Sequence, residues 1–132
     1  NSMAVVQELM DRQHVAVVVP GGRLRRETAS LIGVDGLAQL AGFNVQKGFF
    51  GAHGLSLLEG LTDVSPDEAD VKRIMVQRCS QVIAVIDATK WGRAGLASFG
   101  SIEDIDIVVT DHDAPADSVA EAQARGIQVI RV

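Results

Sequence analysis

A chain of 132 residues, 47% of them hydrophobic, is long enough to bury the core of one domain. A formal net charge of −5 argues against nucleic-acid binding by charge alone, and a single cysteine leaves no internal disulfide framework. No apolar run approaches the roughly 20 residues of a membrane span and no stretch reads as a signal peptide, so a cytoplasmic domain without membrane contact is expected.

The opening Asn1-Ser2 reads as a cloning remnant, so the domain is taken as residues 3–132. From Met3 to Arg12 the apolar residues Val5, Val6, Leu9 and Met10 recur at helical spacing and should face inward. His14 to Val19, HVAVVV, reads as a buried strand that ends in Pro20-Gly21-Gly22. Two glycines after such a strand permit either a simple turn or a close backbone approach to a ligand. Arg23, Arg25 and Arg26 follow, a cluster suited to a phosphate, to a solvated loop or to a subunit contact.

Val34 to Gly42 has Leu37, Leu40 and Ala41 at helical spacing, with Gly42 as a stop. Asn44 to Ala52 reads as a strand ending at Gly51, with His53 just past it. The Gly-punctuated segment that follows, to Ser65, is expected to be a long connection. Ser65 then serves as N-cap, Pro66 as first helical residue and Glu68 as the capping-box acid. Val71, Ile74, Met75 and Cys79 give that helix an apolar face, which makes Cys79 an inert core thiol rather than a nucleophile.

Val82 to Ile86 is an unbroken apolar run, the mark of a strand covered on both faces. Asp87 and Lys90 stand where it ends, either as a pair that binds a polar ligand or as holders of the turn. A short helical turn over Arg93 to Phe99, a strand over Ile105 to Thr110 ending at Asp111, a helix from Pro115 to Arg125 capped by Gly126, and a strand from Ile127 to Val132 complete the chain. The order predicts an α/β fold: a mostly parallel, Rossmann-like open sheet of about five strands with helices on both faces.

No Walker loop, GxGxxG, GxSxG elbow or metal-ligand spacing occurs, so neither a cofactor nor a metal nor a catalytic residue is assigned. Glu68 and Lys72 form an i, i+4 pair that stabilises the helix in its own right.

The residues Glu68 to Lys72, then VIAVIDATKWG, then DIDIVVTD, together with Gly21-Gly22 and Gly51, resemble the effector-sensing domain of DeoR-family transcriptional repressors. The likeness runs from His14 onward. It implies a fold akin to ribose-5-phosphate isomerase, glucosamine-6-phosphate deaminase and coenzyme A transferases. It also implies a phosphorylated sugar or related metabolite as effector. Gly21, Gly22, Arg23, Gly51, His53, Lys72, Asp87 and Lys90 are the ligand-binding candidates, and the resemblance implies that the helix start bearing Lys72 lies beside the ligand cleft.

Family members carry an N-terminal winged helix-turn-helix and an upstream strand with a Gly-Thr-Thr phosphate loop. This sequence shows neither, and His53 stands where the family often has an acid. The expectation is a truncated sensor whose DNA contact depends on a helix-turn-helix outside these residues, assembled as a homo-oligomer. The alternative is a phosphosugar isomerase or deaminase with Glu68 or His53 as general base, for which Glu59 is the one further acid in the loop. An assembly module with a vestigial pocket is the third reading.

Overall fold

The computed structural model describes residues 1–33, 40 and 42–132. The helix expected over Val34 to Gly42 therefore lies almost wholly outside the described residues. The chain forms two compact units, Asn1–Phe43 and Asn44–Val132.

In the first unit, α1 (Met3–Leu9) is capped by the Ser2 hydroxyl, which accepts from the Val5 amide at 3.4 Å. β1 (Arg23–Arg25) pairs antiparallel with β2 (Ser30–Ile32). Asn1 exchanges bonds with Leu31, donating from Nδ2 at 3.2 Å and accepting from the amide at 2.8 Å, so the two leading residues take part in this structure. Two expectations fail here. Val5 and Met10 are 56% and 74% exposed, so α1 does not bury its apolar residues. Residues 14–19 form no strand. An apolar run records a preference for burial, but a strand also needs a neighbouring backbone, and among the described residues of this unit β1 and β2 take each other.

The second unit is built on a four-stranded parallel sheet in the order β3-β6-β8-β9. Its strands are β3 (Val45–Phe50), β6 (Cys79–Val85), β8 (Ile107–Thr110) and β9 (Gln128–Arg131). These are four of the five expected strands. α2 (Pro66–Arg78) joins β3 to β6 and begins as expected, with the Ser65 hydroxyl accepting from the Glu68 amide at 3.5 Å. Cys79 is the half-buried first residue of β6 rather than the last of the helix, and burial pushes its thiol pKa up. α3 (Ala116–Ala124) joins β8 to β9, and Gly126 follows with φ 91°, the left-handed conformation of a helix stop.

The register aligns Phe50, Ala84, Val108 and Val129 across the sheet, and this row packs with Ala69 and Val76 of α2 and Val119 and Ala122 of α3. On the opposite face Phe49, Val85 and Ile130 are 66%, 47% and 38% exposed. Within this unit α2 and α3 thus cover one face, not two. Right-handed crossovers between strands laid down in chain order bring every helix to the same side.

The connection expected from Gly51 to Ser65 is instead an antiparallel hairpin, β4 (Gly54–Ser56) and β5 (Gly60–Asp63). The Ser56 hydroxyl closes its turn by accepting from the Glu59 amide at 2.9 Å. The expected helical turn after Trp91 is β7 (Ala97–Gly100), which pairs with β5 to make a three-stranded sheet. Its backbone groups are used by the β5 ladder, which overrides the weak helical pattern of the sequence.

Candidate functional site

β3 and β6 are parallel neighbours with Phe50 opposite Ala84, so both leave the sheet at the same, carboxyl-terminal edge. Beyond β3 come the exposed Gly51 and His53, whose backbone amide donates to the Thr62 carbonyl at 2.9 Å. Beyond β6 comes a short 3-10 turn, Ala88–Lys90, capped by Asp87. Asp87 Oδ1 accepts from the Thr89 amide at 2.8 Å and from the Thr89 hydroxyl.

The turn is pinned on both flanks. The Ala88 amide donates to Asp111 Oδ2 at 2.9 Å, just past the end of β8. The buried Trp91 ring donates from Nε1 to Thr110 Oγ1 at 3.1 Å, and the Gly92 amide donates to the Leu55 carbonyl at 2.8 Å. The half-buried Lys90 is therefore held on a turn whose position is fixed before anything binds.

The Asp87 carboxyl titrates below the ordinary aspartate range. The Thr89 hydroxyl bond is the main cause, opposed by some desolvation and reinforced by the Thr89 amide and the charges of Lys90 and Arg93. A depressed folded-state pKa stabilises the native state above the unfolded-state pKa, and that contribution is lost as pH falls through the folded value. An NMR titration of the Asp87 carboxyl should thus give a midpoint below that of a free aspartate, and Thr89→Val should move it back up. An unmoved midpoint would mean that the turn does not hold the carboxylate.

Lys72 occupies a different setting. Its Nζ donates to Asp63 Oδ2 at 2.6 Å and to the Gly51 carbonyl at 2.9 Å, and lies 5.1 Å from the centre of the Phe99 ring. The Lys72 and Asp63 side chains are only 16% and 8% exposed, and Asp63 Oδ1 accepts from the Val64 amide at 2.8 Å. Nothing in the local sequence marks Asp63 as a site residue. An aspartate closing a short Gly-Leu-Thr run carries no signal beyond ending an apolar stretch.

The second unit thus brings Gly51, Lys72, Asp87 and Lys90 to one end of the sheet, with His53 at the entrance to the hairpin. Gly21, Gly22 and Arg23 belong to the first unit. Gly22 has φ 137°, and a Cβ there would lie 2.5 Å from the Ile32 carbonyl oxygen, so the hairpin itself demands a glycine. Arg23 lies in β1 opposite Ile32. A groove of about 430 Å³ also opens at the amino-terminal edge, lined among others by Arg73, Gln77, Cys79, Asp104 and Asp106. Its polar groups serve the fold: Arg73 binds Asp70 and the Ser98 carbonyl, and Asp106 Oδ2 accepts from the Val82 amide at 2.7 Å. Among the described residues no three His, Cys, Asp or Glu side chains are gathered as a metal site.

A parallel sheet with its helices on one face and polar groups fixed beyond its carboxyl ends defines the second unit as an α/β domain. The model of the DeoR C-terminal sensor domain matches residues 1–112, and the chain belongs to that family. It is 35% identical over 98% of its length to the HTH-type transcriptional regulator GlpR of Haloferax volcanii, covering 51% of that protein. It is 30% identical over its whole length to the putative aga operon transcriptional repressor of Escherichia coli O157:H7, covering 49%. The glycerol-3-phosphate regulon repressor of Escherichia coli K12 is 29% identical over 87% of the chain, which covers 46% of it. The chain spans about half the length of these curated relatives.

Proposed function

We propose that this chain senses a phosphorylated sugar or related metabolite for a DeoR-family transcriptional repressor, with Lys90 meeting the effector's negative charge and Asp87, Gly51 and His53 framing it. In the cytoplasm, effector occupancy would bias the arrangement of subunits in a homo-oligomer and so the grip on DNA of a helix-turn-helix outside these residues. The observation that carries the reading is the pinned Asp87–Lys90 turn at the sheet's carboxyl edge, in a chain of a sensor-domain family. The name of the glycerol-3-phosphate regulon repressor ties that relative to a phosphorylated polyol, which favours a phosphate-bearing effector here. Names of transcriptional regulators among the relatives favour sensing over turnover.

The test is titration calorimetry with glycerol 3-phosphate and fructose 6-phosphate, with glycerol and fructose as uncharged controls. Binding of a phosphorylated compound and not its parent is expected, and Lys90→Ala should weaken it by about tenfold or more, as for loss of one charge-assisted contact. Equal affinity for the uncharged parents, or an unchanged constant in Lys90→Ala, would overturn the assignment.

A further inference from the structure

We infer that Lys72 is a positioning residue: paired with Asp63, it fixes the Gly51 carbonyl and hence the strand-end loop beside the Asp87–Lys90 turn, without touching the effector. The inference rests on the effector reading above for its functional consequence, but its structural half stands without any ligand.

A lysine ammonium has three N–H donors and no acceptor. Two are used, at 2.6 Å on Asp63 and 2.9 Å on Gly51, and the Phe99 ring faces the cation at 5.1 Å. Turning Nζ toward a ligand would break an ion pair whose carboxylate is 8% exposed and leave that charge buried without a counter-ion. Lys72 and the two groups it joins lie on separate elements: α2 supplies Lys72, β5 ends at Asp63, and Gly51 leaves β3. A compact cation held by two elements thus sets where the third one ends. Lys90 lies on a separate element, the turn after β6, and under the effector reading it is the cation that meets the anion.

The roles separate experimentally. Lys72→Met strands the Asp63 charge and is at risk of misfolding, so the neutral pair Asp63→Asn/Lys72→Met is made beside it and beside Asp63→Asn. Amide hydrogen exchange, without ligand, should be about tenfold faster at residues 51–53 in the double variant while amides of α3 and β9 keep their protection. A merely structural loss would raise exchange throughout. Unchanged exchange at 51–53 overturns the inference.

With glycerol 3-phosphate as probe, Asp63→Asn and the double variant should each lose about tenfold in affinity, non-additively, because the two side chains act as one unit. The dependence of affinity on salt should stay as in the wild type, since no ligand-facing charge is removed. If Asp63→Asn keeps full affinity while the double variant loses it and its salt dependence flattens, Lys72 contacts the anion and the inference fails. If the wild-type chain binds no phosphorylated probe, the effector reading fails, and hydrogen exchange at 51–53 alone decides the positioning role.

Discussion

Phe99→Ala should destabilise the second unit by about 3–5 kcal/mol, the range for truncating a large buried aromatic, out of a total of about 5–15 kcal/mol for a domain. Phe99 is 2% exposed and belongs to the core cluster that joins β5, α2 and the parallel sheet. Its ring centroid lies 6.2 Å from that of Phe50, and its face lies under the Lys72 ammonium. Removing it opens a void against Phe50 and takes from Lys72 the aromatic face that helps hold a buried cation. Phe99→Leu should cost clearly less, because it keeps most of the volume but not the quadrupole. Urea unfolding followed by the emission of Trp91, the one tryptophan of the chain, measures both. A loss below about 1 kcal/mol for Phe99→Ala would mean that the site collapses around the gap, contrary to the packing described.

The centre of the parallel sheet was legible because β6 and β8 carry the apolar runs 82–85 and 107–109, while β3 shows only its Phe49-Phe50 end. The helix α2 was legible because Ser65, Pro66 and Glu68 mark its start in three independent ways. The antiparallel sheet was not. β4, β5 and β7 are only three or four residues long and read Gly-Leu-Ser, Gly-Leu-Thr-Asp and Ala-Ser-Phe-Gly, with one large apolar side chain each. Such segments become strands because a neighbour offers a ladder, and pairing between β5 and β7 spans more than thirty residues of chain. Residues 14–19 show the converse, an apolar run with no ladder. In the site, the Asp87–Lys90 turn was visible from its place after an apolar strand, since Asp, Thr and Lys in sequence make a local cap. Asp63 was invisible because its partner Lys72 sits on another element, a pairing that no local pattern encodes.

Thr62→Val should cost about 2–3 kcal/mol, although valine has the same shape and is more hydrophobic, because a buried polar group left without its partner costs about 1–3 kcal/mol. Thr62 is 1% exposed, and its hydroxyl works in both directions. It donates to the buried Gly54 carbonyl at 3.1 Å and accepts from the Gly95 amide at 2.7 Å, tying the start of the hairpin to the segment that leads into β7. That segment packs closely: a Cβ at Gly95 would lie 2.5 Å from the Asp63 carbonyl oxygen, so the backbone has little room to shift and find a new donor or acceptor. Thr62→Ser keeps the hydroxyl and loses one methyl, worth about 1 kcal/mol of burial. Valine should therefore be the worse substitute, the reverse of what shape and hydrophobicity alone dictate. Chemical denaturation of the two variants ranks them, and hydrogen exchange at the Gly95 amide reports the lost acceptor. The change also lies one residue from Asp63, so loosening the Gly95 contact should lower protection at the Val64 amide that Asp63 holds. A valine variant as stable as the serine one, with Gly95 still protected, would show that the hydroxyl is a passenger.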